Sequence, residues 1–396
     1  MAKTLVNIIT EDNPIPAYLF IKEKYETGDR LMYISAKDTE DDLDALSELF
    51  SIPADMIEEI ILKNDNDELA FEKICRTVYE QLNHETHYCV NLAGGTRYMA
   101  LAVQQVFEKF NVEYFYVQVE ENQIVKSIFH DSFYDNDDAF FPIQHRMTIA
   151  EYLRAHEITH DLTYDHKPIR SEEYTEGLFG LFINNELTTE DYDTIRILRE
   201  HYRKEKRINI DQVESAGNYP APQVPELTAF LDGIDFTPAQ RGFLNQEELE
   251  YITGGWFEEY VYHLVKKEIN PQDIALNVTI SRKGITHKNE LDVVFTKGNK
   301  LFVIECKTGV QSDHLFNEIV YKLCAISEAL LGVSCYSYII SLKQDSTGML
   351  KRIADNMGLT FLDRTTLASP RELRLAMTRM DILAHEPQQS TSSEGS

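Results

Sequence analysis

Asp292, Glu305 and Lys307 carry the densest chemical signal in the sequence. Glu290-Leu-Asp-Val-Val-Phe-Thr296 and Leu301-Phe-Val-Ile-Glu-Cys-Lys307 both read as β-strands, and they flank Lys297-Gly-Asn-Lys300. Gly followed by Asn fits a two-residue type II′ hairpin turn. If Lys297 pairs with Lys300, Asp292 lies across from Glu305 and Glu290 across from Lys307, with all four on one face. Leu291, Val293, Phe295, Phe302, Ile304 and Cys306 take the opposite face and supply the core side. Directly opposed side chains have Cβ atoms roughly 5 Å apart, and like charges placed there repel. A divalent cation resolves that conflict, because Mg²⁺ or Mn²⁺ is held by one or two carboxylates plus phosphate oxygens of a substrate. A nearby lysine can then position or deprotonate an attacking water, or stabilise charge building on the phosphate. The plainer alternative is a solvated polar face whose Glu290–Lys307 pair is worth under about 1 kcal/mol. Residues 281–307 also hold a basic excess (Arg282, Lys283, Lys288, Lys297, Lys300 and Lys307), which suits a phosphate backbone.

These residues need a sheet to hold them, and the pattern from about 227 onward supplies one. It predicts a helix at 246–268, strands near 273–282, 290–296 and 301–307, a helix at 314–331, a strand at 334–342 and two further helices to about 381. The first 130 residues show a separate alternation. Strands at 5–9, 30–35, 88–92, 112–119 and 124–129 are interleaved with helices at 14–25, near 39–50, 53–62 and 68–82, and at 96–110, which predicts a parallel α/β sheet of Rossmann type. Gly94 and Gly95 fall between a strand and a helix, where backbone N–H groups can approach a phosphate and Thr96 and Arg97 can donate further bonds. Thr10-Glu-Asp-Asn13 and Ser35-Ala-Lys37 end two other strands, and ligands of open α/β sheets sit outside such ends. Thr10, Glu11, Asn13, Ser35 and Lys37 are therefore candidate binding residues beside the glycine pair. No G-x-G-x-x-G fingerprint occurs, which argues against a dinucleotide.

The chain has 396 residues, enough for two or three domains. Acidic residues number 66 against 38 basic, so the averaged field repels phosphate, and a nucleic-acid role requires metal ions or a local basic strip. Five cysteines without Cys-x-x-Cys spacing, and an N-terminus too short in apolar residues for a leader, argue for a soluble cytoplasmic protein with reduced thiols and no membrane segment. Residues 147–207 read as helical, the acidic stretch 131–138 as a boundary, Pro220 to Pro225 as a linker and Glu386 to Ser396 as a disordered end. His156-Glu-Ile-Thr-His160 matches H-E-x-x-H, the zinc-peptidase pattern with Glu157 as base, but the following residues look like a helix ending. Thr148 to Ile158 could also serve as a helix of a winged helix-turn-helix, which would make the protein a ligand-responsive transcription regulator without catalysis.

Asp292 followed by Glu305-Cys-Lys307 resembles the PD-(D/E)xK signature of restriction-endonuclease-like nucleases, with Leu291 in place of the motif's proline. Gly254-Gly-Trp-Phe-Glu-Glu-Tyr-Val261 is similar to the helix that supplies a further carboxylate in such enzymes. The resemblance implies a metal held by Asp292, Glu305, the Cys306 backbone carbonyl and Glu258 or Glu259, with Glu258 preferred. It gives catalytic roles to Asp292, Glu305, Lys307, Glu258 and Glu290. Asn91 to Arg97 is similar to the ligand loop of CARF (CRISPR-associated Rossmann-fold) domains, which brings Asn91 into the binding set. Joined, the two halves resemble the cyclic-oligoadenylate-activated ancillary nucleases of type III CRISPR immunity. That likeness implies a homodimer with cyclic tetra-adenylate on its two-fold axis, and Mn²⁺- or Mg²⁺-dependent cleavage of single-stranded DNA and RNA with nicking of duplex DNA. The expected division is a sensor over 1–133, a helical connector and linker over 134–225, a nuclease over 226–382 and a tail over 383–396.

Overall fold

The computed structural model describes residues 2–9, 13–36, 50–62, 71–127, 139–161, 167–202, 207–209, 224–282, 288–308, 313–326 and 335–383. Thr10, Glu11, Lys37, the acidic stretch 131–138, most of the Pro220–Pro225 linker and the end of the chain from 384 lie outside the described residues.

Short β-branched runs in the first part of the chain form a seven-stranded sheet of order β3-β2-β1-β4-β5-β6-β7. Its strands are β1 (Thr4–Ile9), β2 (Arg30–Ala36), β3 (Ile57–Leu62), β4 (His87–Asn91), β5 (Asn111–Gln118), β6 (Gln123–Ser127) and β7 (Phe140–Pro142). β3, β2, β1, β4 and β5 are parallel, and β6 and β7 close the edge antiparallel. Helix α1 (Ile15–Lys24) covers one face; α2 (Phe71–Tyr79) and α3 (Arg97–Phe107) cover the other. The expected helix at 53–62 is instead a short 3₁₀ turn followed by β3. Ile57, Ile60 and Ile61 fit a helical spacing, but pairing with β2 claims them, a tertiary contact that local spacing cannot register.

The second sheet has order β15-β14-β13-β12-β11-β8. It comprises β8 (Ile158–Asp161), β11 (Asp273–Arg282), β12 (Asn289–Lys297), β13 (Lys300–Lys307), β14 (Cys335–Ser341) and β15 (Thr360–Leu362), while β9 (Arg207–Asn209) and β10 (Phe243–Asn245) form a separate pair. Between the sheets in sequence run α4 (Ile149–Ala155), α5 (Glu172–Ile183), α6 (Thr189–Tyr202) and α7 (Val224–Gly233). Further along come α8 (Gln246–Glu250), α9 (Trp256–Glu268), α10 (Asp313–Ile326), α11 (Met349–Asn356), α12 (Arg364–Ala368) and α13 (Pro370–Leu383). The stretch expected to be helical throughout thus contains a strand. Glu157 adopts φ +57°, which stops α4 at His156, and Ile158 to Asp161 continues as β8 along β11. His156 and His160 therefore do not share a helix face, so the zinc-peptidase geometry is not formed. Ile149, Tyr152, Leu153 and Ala155 of α4 are buried, so one face of this helix is committed to the core.

The β12–β13 register is the one the spacing requires, with Lys297 opposite Lys300 and Val293 opposite Ile304. The turn itself differs. Gly298 and Asn299 both have positive φ, +60° and +61°, which is type I′ and not II′; asparagine tolerates the left-handed region, and its side chain is fully used. Asn299 Oδ1 accepts the Met147 N–H at 2.9 Å, its amide nitrogen donates to the His145 carbonyl at 3.1 Å, and it meets the Asn122 side chain at 2.7 Å. Lys300, only 3% exposed, donates to the Glu120 and Leu383 carbonyls (3.0 and 2.6 Å) and pairs with the Glu120 carboxylate at 2.9 Å. Lys297 pairs with Asp381 at 2.5 Å. These two lysines lie at the turn and are spent inside the protein, so they do not supply the basic strip expected for a phosphate backbone.

The hairpin is also buried on both faces. Val293, Phe295, Phe302, Ile304 and Cys306 join the core under α9, whereas Val294, Leu301 and Val303 join a core shared with α1, α4 and β5 of the first sheet. Leu291 belongs to that shared core and not to the Phe295 side. Asn299→Ala places a Cβ-bearing residue without a compensating side chain at positive φ and strands buried polar groups. We expect a loss of about 2–4 kcal/mol in urea unfolding, and a loss below about 0.5 kcal/mol would contradict this account of the turn.

Candidate active site

At the far end of the hairpin from its turn, the two strands bring Asp292, Glu305 and Lys307 together. Asp292 Oδ2 accepts the Cys306 N–H at 2.7 Å and lies 3.4 Å from Lys307 Nζ, which is 2.7 Å from Glu305. Lys307 therefore turns to these two carboxylates, where the register argument pairs it with Glu290. Asp292 and Glu305 side chains are 14% and 8% exposed, so neither is solvated as a surface acid would be.

The helix running towards this point is interrupted. α8 begins in a capping box between Asn245 and Glu248, passes through a π-turn at Tyr251–Gly255 and continues as α9. The Thr253 carbonyl in that turn accepts from Arg199 Nε and Nη2 at 3.1 and 2.7 Å; Arg199 Nη2 also donates to Thr308 Oγ1 at 2.6 Å. One guanidinium from α6 thus ties the π-turn to the residue following Lys307. A π-turn shifts every later side chain around the helix axis, and such turns recur at functional sites. Here it precedes Glu258, whose charge is felt by Asp292, Lys307, Glu290 and Glu250. Glu259 points elsewhere, accepting the backbone N–H groups of Ile169 and Arg170, and so anchors the start of α5.

Asp292 and Glu305 flank the Lys307 ammonium, half-buried Glu258 adds its charge beside Asp292, and exposed Glu250 and Glu290 add more at the rim, where Lys322 is a second cation acting on Glu290. Burial, and then the neighbouring Asp292 charge, raises the Glu258 pKa well above the carboxylate range. Burial and Glu305 raise Asp292 despite its bonds to Lys307 and Cys306. Burial works against the charge on Lys307, yet Asp292 and Glu305 outweigh it and hold this lysine above the ordinary range. Lys307 is thus a fixed cation in this state, suited to positioning and charge stabilisation and not to accepting a proton. Among the described residues, Asp292, Glu305 and Glu258 do not bring three ligand atoms within 4.8 Å of one another, and the Lys307 ammonium stands against two of them. A donor set of hard carboxylate oxygens with excess negative charge fits Mg²⁺ or Mn²⁺. A cavity of about 240 Å³, lined by Glu247, Glu250, Glu258 and Lys167 among others, opens beside it.

The expected binding residues of the first sheet separate into two groups. Gly94, Gly95, Thr96 and Arg97 form the turn from β4 into α3, where Thr96 Oγ1 caps the helix by accepting the Met99 N–H at 3.2 Å and Arg97 is exposed. A Cβ at Gly94 would lie 1.8 Å from the Ile8 carbonyl oxygen, so this glycine lets the loop cross β1 in direct contact. Asn13, which follows β1, is half-buried. Asn91 and Ser35 are fully buried. Asn91 bonds Asn7, the Pro16 carbonyl and the Ala93 N–H, and Ser35 donates to Glu59 at 3.2 Å, so both brace the loops from within instead of facing a ligand.

A parallel α/β sheet with a glycine loop at its strand ends, joined to a mixed sheet whose hairpin gathers carboxylates around a lysine, defines a sensor-linked nuclease. Residues 4–152 match the family model described as the Card1 CARF domain, and residues 245–374 match that of the Card1-like endonuclease domain. The matched segments together cover more than half of the chain, so it pairs a Card1-type CARF segment with a Card1-like endonuclease segment. No curated protein sequence matches the chain. Among solved structures it is similar to protein VC1899 from Vibrio cholerae, with 18% identity, TM-score 0.73, and 97% of this chain and 99% of that one covered. Can2 from Sulfobacillus thermosulfidooxidans, in complex with cyclic tetra-adenylate, is 21% identical with TM-score 0.66 and coverage of 95% and 99%. A type III CRISPR defence DNA nuclease activated by cyclic oligoadenylate is 13% identical with TM-score 0.50; the match covers 96% of this chain and 52% of that one. At these identities the likeness is one of fold.

The raised Glu258 pKa means that the ion-free folded state holds this proton more tightly than the unfolded chain. Its contribution to stability is therefore complete in acid and is lost as pH rises from the carboxylate range through neutrality. Glu258→Gln should flatten that decline and raise stability near pH 8 by about 1–2 kcal/mol in EDTA. Urea midpoints across pH check it, and an unchanged slope would remove the crowding argument.

Proposed function

We propose that the protein is a metal-dependent endonuclease of the PD-(D/E)xK type, acting on single-stranded DNA and RNA and nicking duplex DNA. Its activity is switched on by cyclic tetra-adenylate in type III CRISPR defence. The observation that carries the catalytic half is the crowding of Asp292 and Glu305 against Lys307, with half-buried Glu258 adding a third carboxylate charge beside Asp292. Asp292, Glu305, Glu258 and the Cys306 carbonyl would hold Mn²⁺ or Mg²⁺, with Glu290 alongside. The ion, when bound, supplies Lewis acidity at the scissile phosphate and a more acidic water. The chain's own residues do the rest: the Cys306 N–H and Lys307 fix the Asp292 carboxylate, Arg199 and Thr308 fix the π-turn ahead of Glu258, and Lys307 offers its fixed charge to the phosphate. In a chain of net charge −28, the ions also offset repulsion of the substrate.

The sensor half rests on the Gly94-Gly95 turn, whose helix N-terminus, Thr96 and Arg97 suit the phosphates of a cyclic oligoadenylate; Thr10, Glu11, Asn13 and Lys37 join the binding set on their sequence positions alone. Tyr98 and Leu101, which follow Arg97 on α3, are 47% and 59% exposed. A second copy covering them would make a homodimer with the ring on its axis. We divide the chain into a sensor over 1–133, a connector over 134–225 that lends β8 to the second sheet, and a nuclease over 226–382. Among the described residues no helix is long and apolar enough to cross a membrane.

Labelled single-stranded DNA and RNA incubated with the protein, Mn²⁺ or Mg²⁺ and a panel of cyclic oligoadenylates test this reading. Asp292→Asn and Lys307→Ala should each lower cleavage on the order of a hundredfold to a thousandfold or more while leaving messenger binding intact; a fully active variant would remove the site assignment. Arg97→Ala should shift half-activation to about tenfold higher messenger concentration at unchanged saturated rate. An unmoved activation curve would count against the loop.

A further inference from the structure

The first sheet carries another set of donors, apart from the glycine loop and the carboxylate cluster. His87 and Cys89 alternate along β4 and share one of its faces, and Cys89 stands opposite Glu113 in the β4–β5 register. His87 Nε2 and Cys89 Sγ each lie 3.9 Å from the same oxygen, Glu113 Oε2, and the ligand atoms of all three residues lie within 4.8 Å of one another. Donors 2.0–2.3 Å from a tetrahedral ion stand roughly 3.3–3.8 Å apart, so closing this set takes only a small movement. The second oxygen, Glu113 Oε1, is held by Lys126 Nζ at 2.5 Å. The carboxylate is thus oriented from outside by one oxygen while the other faces the sulfur and the imidazole, as metal-binding carboxylates are when a second partner aligns them. Cys89 and Glu113 also line a cavity of about 320 Å³, which gives water access as a fourth ligand.

We propose that His87, Cys89 and Glu113 form a site for a thiophilic divalent transition metal, of which Zn²⁺ is the best fit. One soft sulfur and one imidazole favour Zn²⁺ over Mg²⁺ and Mn²⁺, which prefer all-oxygen sites, so this site and the carboxylate cluster select different ions. Binding releases the thiol proton to solvent as the thiolate–metal bond forms. The ion would clip β4 to β5 in the strand that leads into the Gly94-Gly95 loop, which assigns it a positioning role in the sensor.

The full-length protein in a thiol-free reductant, titrated with Co²⁺, tests this directly. One equivalent should develop the near-ultraviolet thiolate-to-cobalt charge-transfer band, which Zn²⁺ then erases. Cys89→Ser should abolish the band and His87→Ala should weaken Co²⁺ binding by on the order of tenfold or more, while Asp292→Asn leaves the band unchanged. Absence of the band from the unmodified protein, its survival in Cys89→Ser, or unaltered affinity in half-exposed His87→Ala would each overturn the proposal. None of these readouts depends on cleavage, so failure here and failure of the nuclease reading are separable.

Discussion

A two-residue turn with both φ angles positive governs much of this molecule. Gly298 and Asn299 hold β12 and β13 in a register that leaves no choice about which side chains oppose one another, and a slip by one residue would exchange the two faces. At the open end this register sets an aspartate against a glutamate. At the closed end it presents Asn299 and Lys300 to the loop between β5 and β6, where Asn122 and Glu120 receive them. The same short segment therefore determines both the chemistry of the hairpin and its attachment to the first sheet. Buried polar contacts of this kind specify one arrangement strongly, because an imperfect fit leaves donors unsatisfied.

The electrostatics of the open end follow from that placement. Carboxylates held close in a half-dry setting raise one another's pKa, and a single lysine compensates only in part. Such strain is tolerated where function requires it. The π-turn before α9 belongs to the same economy: the Thr253 carbonyl finds Arg199 and Thr308 as donors, and the helix delivers Glu258 towards Asp292 while Glu259 anchors α5.

Much of this was legible in the residues. The strand positions, the hairpin register and the gathering of Asp292, Glu305 and Lys307 follow from period-two patterning and a short turn, which are local properties. What escaped reading was non-local. Arg199 lies 109 residues from Thr308, and no spacing links them. Ile57 to Leu62 carry a helical spacing that pairing with β2 overrides, and Ile158 to Asp161 become a strand only because β11 offers an edge. Lys297 and Lys300 look like phosphate contacts until their partners, Asp381 and Glu120, are known. Asn91 sits in the loop's sequence but turns inward, since nothing in a linear string distinguishes an amide that faces a ligand from one that braces the loop. Even the turn type was missed by one φ angle, because asparagine is among the few residues able to adopt either sign there.

The apolar cluster shared by α1, α4 and β5 on one side and β11, β12, β13 and α10 on the other has a consequence for taking the molecule apart. Severing the chain between its two sheets would divide this cluster and uncover apolar side chains that the intact molecule buries, leaving a stickier fragment. The nuclease is no detachable cartridge.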